Sequence, residues 1–282
     1  MLGAAVYEQF KDNYEVLATD IRPLDIWCQE LNVQNYHRLH YELSVFEPQV
    51  IVNLAALTDL EYCETHGQEA VDTNTGGSAN LTALAAKYKA DYVYISTAGI
   101  FDGKQESYDD ADRPNPLCMY GKTKYWGELI AKTYERTYVI RPGWMMGGGP
   151  AKDKKFINKI FKQLQAGQTE LNVVTDKCGT PTYTYDLAKT MDALLESGQY
   201  GTYNCTCKGR TTRYEVAVEF IRLLGLEEKV KVNQVTSDFF KTEYYATRPD
   251  SEIILSNALD RAGLNRMRDW KECLAEYVKE FK

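Results

Sequence analysis

The sequence predicts an α/β fold, a doubly wound parallel sheet followed by a smaller C-terminal lobe, and three observations carry that reading. Short apolar runs rich in β-branched and aromatic residues alternate with stretches of helical periodicity through the first half of the chain. The alternation breaks at Pro142-Gly143-Trp144-Met145-Met146-Gly147-Gly148-Gly149-Pro150, where the glycines and prolines can sustain neither helix nor strand. A length of 282 residues suffices for one large domain or a core domain with an added lobe.

Tyr14 to Thr19 reads as the first strand, closed by Asp20, and Asn35 to Phe46 as the helix after it, with apolar residues at helical spacing. Gln49 to Leu54 is a compact apolar run and hence a buried strand. Helical periodicity from Gln68 to Tyr88 leads to the strand Asp91 to Ser96, and that from Tyr120 to Tyr134 leads to Tyr138 to Arg141. Beyond the Gly-rich loop the pattern gives a helix over Lys154 to Ala166, a strand over Leu171 to Thr175 and a helix over Tyr185 to Ser197. Two amphipathic helices, Arg213 to Leu224 and Trp270 to Phe281, complete the tail. The division this implies is a nucleotide-binding unit over 1–143, to which 171–197 returns, and a lobe made of 144–170 and 198–282.

A net charge of −7 argues against a nucleic-acid partner. The longest apolar run, Val50 to Leu57, is interrupted by Asn53 and falls far short of the roughly 18 residues a membrane span needs. No cleavage site follows the first residues, so no signal peptide is expected. Seven cysteines, an odd number in a chain too large to need staples, point to a reducing compartment, and the cytoplasm is the simplest one. Cys205-Thr206-Cys207 lacks the C-x2-C spacing of a metal site, and His37, His40 and His66 lie far away in sequence. It reads instead as strand cysteines facing opposite ways, and no metal is expected.

Tyr120-Gly121-Lys122-Thr123-Lys124 carries the chemistry. A tyrosine and a lysine four apart share one helix face. The pattern alone is weak, because Tyr7 to Lys11 and Tyr185 to Lys189 match it too. Only the copy at Tyr120 follows the Pro-rich loop Arg113-Pro114-Asn115-Pro116 and has a strand-end hydroxyl, Thr97, upstream to meet it. A phenol, an ammonium and a hydroxyl so placed can move a proton to or from a carbonyl oxygen.

An ordered series of segments extends this. It comprises Asn53-Leu54-Ala55-Ala56, Asn74-Thr75-Gly76-Gly77-Ser78-Ala79-Asn80-Leu81, Ser96-Thr97-Ala98-Gly99-Ile100-Phe101-Asp102-Gly103, Tyr120 to Lys124, Arg141, Trp144, Cys178-Gly179-Thr180-Pro181-Thr182-Tyr183 and Arg248-Pro249. In this order the chain resembles the extended short-chain dehydrogenase/reductases, and within them the dTDP-4-dehydrorhamnose reductase group. The resemblance implies a Rossmann-type fold and NAD(P)H-dependent reduction of a nucleotide-activated 4-keto-6-deoxy sugar, as in dTDP-rhamnose biosynthesis. Tyr120 would donate the proton, Lys124 would lower the phenol's pKa and hold the nicotinamide ribose, and Thr97 would orient the carbonyl. The departure from the group is Ala98-Gly99, where its members usually carry Asp-Tyr. With no acid at those two positions, a sugar-nucleotide dehydratase is not expected. An epimerase or a non-catalytic, cofactor-binding regulatory subunit remain the alternatives.

The same resemblance implies that Trp144 lies against the sugar, that Ala98 contacts the substrate, and that Arg248 meets the nucleotide diphosphate. For the cofactor it implies Asp20 on the adenosine ribose, a carboxylate that favours NAD over NADP, with Arg22 close enough to admit a 2′-phosphate. Asn32-Val33 would lie at the adenine, while Ala55, Ala56 and Thr58 would line the cofactor. A homodimer is compatible with this group.

Gly3 matches the last glycine of the G-x-x-G-x-x-G turn that brings a pyrophosphate to a helix N-terminus. The first strand and first two glycines of that unit do not precede it. Two explanations stand: a natural protein longer by about a dozen residues, the length of a strand and turn, or a non-catalytic relative. The first is favoured, and it makes weak NAD binding and reduced stability the expectation for the 282 residues alone.

Overall fold

The computed structural model describes residues Met1 to Lys282. Its first strands, β1 (Ala18–Asp20) and β2 (Cys28–Glu30), pair in parallel with each other and with nothing else. The main sheet has four parallel strands in the order β10-β5-β4-β3: β3 (Val50–Asn53), β4 (Asp91–Ile95), β5 (Thr137–Arg141) and β10 (Gly201–Asn204). Four further strands form the parallel pairs β6 (Trp144–Met146) with β9 (Pro181–Tyr183) and β7 (Glu170–Val174) with β12 (Lys231–Val235). Finally, β8 (Cys178–Gly179) lies between antiparallel β11 (Thr211–Thr212) and parallel β13 (Ser251–Glu252).

The main sheet is covered on both faces, which is why its strands are nearly continuous apolar runs. Side chains of β4 alternate across it. Val93 and Ile95 enter a core with Tyr138, Ile140, Leu187, Met191 and Leu194, whereas Tyr92 and Tyr94 enter a second core with Leu39, Leu81, Leu84 and Val139. The helix Tyr36–Phe46 starts where Asn35 accepts the Arg38 amide, and it packs on the second face.

Four expectations need correction. The strand near residue 14 is confined to β1 and lies outside the main sheet, because no strand stands between β1 and β3 to link their hydrogen-bonding edges. The segment expected to return to the nucleotide-binding unit does so in part: the helix Thr184–Ser197 faces the helix Leu2–Phe10, with Gln9 donating to Asp192 at 2.9 Å, but β7 pairs with β12 in the lobe. Conversely β10, expected in the lobe, adds to the main sheet beside β5. Cys205 and Cys207, expected to face opposite ways, follow β10 with both side chains buried in the same core, since residues two apart along a strand-like segment share a face.

Two local devices aim the site. The long helix before β4 is interrupted by a π-helical segment, Val71–Gly76, which turns Asn74 inward. Asn74 accepts the Leu57 amide at 2.8 Å, donates to the Leu57 carbonyl and donates to Thr123 at 3.0 Å, tying the loop after β3 to the helix Met119–Ala131. That helix in turn meets the turn after β4 so closely that a Cβ on Gly121 would stand 2.4 Å from the Gly99 carbonyl oxygen. Only glycine allows this approach, and it is what brings Tyr120 beside Thr97.

Candidate active site

Tyr120, Lys124 and Glu128 occupy successive turns on one face of Met119–Ala131, and that face points at the C-terminal end of β4. Thr97 stands there as the cap of a short 3-10 turn, accepting the Gly99 amide at 3.1 Å. The point where a Cβ on Gly99 would lie is 3.5 Å from Thr97 Oγ1, 3.7 Å from Tyr120 Cε1 and 3.6 Å from Glu252 Oε1. Three polar side chains from β4, the helix and β13 therefore converge on one small space.

The electrostatics reverse one sequence expectation. Burial pushes the Tyr120 phenol up to about 12; Thr97 works against the rise, and Glu252 adds to it. Burial pulls the Lys124 ammonium down to about 7, with Glu128 opposing. Lys124 was expected to make the phenol more acidic, but removal from water disfavours phenolate and ammonium alike, and in the free protein that effect dominates. Lys124 Nζ rests 4.4 Å from the centre of the Tyr94 ring and has no hydrogen-bond acceptor in the protein. A buried cation left with only a ring face is a ready donor for ligand hydroxyls.

Glu128 fixes the floor. It accepts from Arg141 Nη2 at 2.6 Å and Nε at 3.1 Å, from Ser96 at 2.8 Å and from Lys132 at 2.9 Å.

On the lobe side, Trp144 is only 9% exposed and donates its Nε1–H to Glu252 Oε2 at 2.7 Å. The Arg213 guanidinium lies 3.8 Å from the Trp144 ring centre and 5.0 Å from that of Phe156, with no hydrogen bond or carboxylate partner within bonding distance. Burial lowers its pKa to about 10, which leaves it charged at neutral pH. Lys155 lies near enough to Arg213 for each charge to feel the other, and its Nζ donates to Thr58 Oγ1 at 3.0 Å.

Other expected residues are placed differently. Arg248 is engaged by Glu61: Nη2 donates to Oε2 at 3.0 Å, and Nη1 lies 2.7 Å from Oε1 in an ionic contact without hydrogen-bond alignment. Ala98 is buried, its amide given to the Pro142 carbonyl, so Gly99 is the residue of that pair whose Cβ position lies among Thr97, Tyr120 and Glu252. Asp20 is exposed at the end of β1, and one carboxylate oxygen accepts the Arg22 amide. Asn32 likewise accepts the Gln34 amide. The Val33 carbonyl accepts from Asn80, and a Cβ on Gly77 would strike the Val33 side chain at 2.7 Å. Ala55 donates to Asn53, Ala56 follows it half-buried, and a Cβ on Gly3 would stand 3.7 Å from Leu54. Thus the loop after β3 meets the start of the helix Leu2–Phe10.

Glu252, Arg213 and Lys155 escaped the sequence reading. None belongs to a short motif, and Glu252 reaches Trp144 across 108 positions of chain. No group of three or more His, Cys, Asp or Glu side chains is arranged to hold a metal ion.

The chain is similar over nearly its whole length to known proteins. A spore coat polysaccharide biosynthesis protein, SpsK of Bacillus subtilis, is 32% identical over 283 aligned residues, covering 99% of this chain and 94% of that protein. Among solved structures, a dTDP-4-dehydrorhamnose reductase of Clostridium acetobutylicum is 34% identical with a TM-score of 0.88, covering 99% of this chain and 95% of its own. A dTDP-4-dehydrorhamnose reductase of Bacillus anthracis in complex with NADP is 28% identical with a TM-score of 0.89, over 99% and 95% of the two chains. The model of the RmlD substrate binding domain matches residues 1–282 throughout, and the chain belongs to that family.

Proposed function

We propose that the protein is an NAD(P)H-dependent reductase of a nucleotide-activated 4-keto-6-deoxy sugar, of the dTDP-4-dehydrorhamnose reductase type. The observation that carries this reading is the meeting of Thr97 and Tyr120 at one space, with the unpartnered Lys124 ammonium one turn from Tyr120. When bound, the dihydronicotinamide supplies the hydride. The residues fit such a cofactor, since Lys124 lacks an acceptor that ribose hydroxyls would provide and Asp20 keeps one carboxylate oxygen clear of the Arg22 amide. In this reading Ala55, Ala56 and Thr58, in the loop after β3, lie along the cofactor, Gly3 at the start of the helix Leu2–Phe10 lies near its phosphates, and Asn32 with Val33 lies at its adenine. NAD is favoured by Asp20, and the exposed Arg22 allows NADP as well.

In this mechanism Thr97 and Tyr120 hydrogen-bond the substrate carbonyl oxygen. A phenol held near 12 is fully protonated at neutral pH, the state a proton donor needs. As negative charge develops on the carbonyl oxygen, the Tyr120 proton crosses to it, and the adjacent Lys124 charge favours the phenolate left behind. Arg213, together with Lys155, is the cation we assign to the diphosphate, because Arg248 is already neutralised by Glu61.

The nucleotide-binding unit and the lobe then stand on either side of the cleft, with β13 and the Arg213 helix on the lobe side. We place the protein in the cytoplasm, as its unpaired cysteines suggest; no helix is long and apolar enough to cross a membrane.

The test is to mix the protein with NADH or NADPH and a series of nucleotide keto-sugars and follow the absorbance of the reduced cofactor. Consumption is expected with a 4-keto-6-deoxy sugar nucleotide, and it should fall by a factor of about 100 or more in Tyr120→Phe. A cofactor that binds but is not consumed with any of them overturns the reading.

A further inference from the structure

Glu252 arrives at the site from β13, a two-residue strand held beside β8. Its carboxylate is fixed at one end only. Oε2 accepts the indole N–H of Trp144 at 2.7 Å, while Oε1 accepts no hydrogen bond from the protein and lies 3.6 Å from the Gly99 Cβ point. The same point is 3.5 Å from the Thr97 hydroxyl and 3.7 Å from the Tyr120 ring. Were Gly99 a large residue, its side chain would occupy the point these three groups share; as glycine it leaves the free carboxylate oxygen, the Thr97 hydroxyl and the edge of the Tyr120 ring around one point.

An anchored carboxylate with one vacant oxygen is a fixed acceptor, and an acceptor beside a carbonyl-binding pair of hydroxyls addresses the atoms next to that carbonyl. In a keto-sugar the nearest such donor is the hydroxyl on the carbon vicinal to the carbonyl. We propose that Glu252 is a substrate-recognition residue whose Oε1 accepts a hydrogen bond from the sugar hydroxyl vicinal to the carbonyl held by Thr97 and Tyr120. The proposal rests on the reductase reading above. Positions 98 and 99 carry no acid, as the sequence shows; the acid beside them is supplied by the lobe. It also gives the Trp144 indole a stated task, since the ring that flanks Arg213 is the one that aims the carboxylate.

The chemistry predicts discrimination rather than general loss. A site built to bond a hydroxyl rejects the deoxy analogue because its own buried group is left unpaired. In Glu252→Gln the amide oxygen takes over the Trp144 bond and the NH2 group faces the site, so a donor replaces the acceptor.

The experiment measures binding of two nucleotide sugars by calorimetry, one with the vicinal hydroxyl and one with hydrogen in its place, to the wild-type protein and to Glu252→Gln and Glu252→Ala in the presence of NADP. The wild type should prefer the hydroxyl form by about 10- to 100-fold, the range of a charged hydrogen bond, and both variants should lose most of that preference while binding the deoxy form nearly as before. Equal weakening of both ligands would assign Glu252 only to the support of Trp144 and overturn the proposal, as would an undiminished preference in the variants. Binding of both sugars with no hydride transfer to any keto-sugar would instead strike the reductase reading and leave the recognition result readable by itself.

Discussion

Glu128 and Arg141 form a doubly hydrogen-bonded ion pair, at 2.6 and 3.1 Å, in which neither side chain is more than 2% exposed. The pair joins the helix that carries Tyr120 and Lys124 to the end of β5, and the Glu128 bond to Ser96 extends the clamp to the residue before Thr97. Arg141 also donates to the Asp110 carbonyl at 3.0 Å, so the same cation holds the loop beyond the site. The relative placement of Tyr120 and Thr97 therefore depends on a charge cluster that touches neither of them.

Removing one member leaves the other charge buried without its partner. Glu128→Ala or Arg141→Ala should cost about 3–5 kcal/mol of stability, measured by urea unfolding. Glu128→Gln keeps the shape but loses the charge and sets an NH2 group against two of the four donors, so it too should lose stability. A change below about 0.5 kcal/mol for either alanine variant, the size of a surface effect, would show that the cluster does not clamp the site.

The catalytic helix and its strand were legible because their signals are local. Tyr92 to Ile95 is buried on both faces and reads as an unbroken apolar run, and the i, i+4 spacing of Tyr120 and Lys124 is a property of any helix. The lobe's contribution was not legible. Glu252 lies on a two-residue strand that shows no period, and it matters only because β13 pairs with β8. The Arg213 helix was foreseen through its apolar face, yet nothing in that pattern says that its first residue stacks on Trp144. The pairing of Arg248 was not legible for the same reason, since its partner Glu61 is 187 positions away. In the first half, β2 escaped because three mostly exposed residues carry no alternation to read.

The two arginines should separate in experiment. Arg213 has no carboxylate partner, so Arg213→Ala should leave stability nearly unchanged and raise the KM for the sugar nucleotide by about 10- to 100-fold, the worth of one charge-assisted hydrogen bond to phosphate. Arg248→Ala breaks a half-buried pair with Glu61, and its main effect should be a lower melting temperature. Isothermal titration with the nucleoside diphosphate alone, set beside thermal melts of both variants, checks this. The reverse pattern would return the diphosphate to Arg248.

Lys124 makes the free protein's stability depend on pH in a set direction. Its folded pKa of about 7 lies below the ordinary lysine value of 10.5, so between those values the unfolded chain binds more protons than the folded one. The Lys124 contribution therefore strengthens stability as pH rises from about 7 toward 10.5 and is flat below 7, where both states are protonated. Lys124→Met should remove that slope and melt higher than the wild type at pH 7 in the absence of cofactor, while losing turnover. Parallel melting curves for the two proteins from pH 7 to 10 would contradict the assignment of a desolvated, unpartnered ammonium.

Gly179 offers a way to move the lobe side of the site without touching its polar atoms. A Cβ there would stand 2.5 Å from Cε2 and Cζ2 of Trp144, and the backbone of β8 is held between β11 and β13, so the indole must give way. A rigid ring cannot yield locally as a flexible chain end does. Shifting it disturbs both the 2.7 Å bond to Glu252 and the stacking of Arg213 at 3.8 Å. Gly179→Ala should thus cost about 1–3 kcal/mol, the usual range for overpacking, and change the near-ultraviolet circular dichroism of the indoles. The affinity for the sugar nucleotide should fall, whereas that for NADP, which the other side of the cleft receives, should hold. If Gly179→Ala instead weakened NADP and left the sugar nucleotide untouched, Trp144 would belong to the cofactor side, and the division of the cleft between β4 and β13 would have to be redrawn.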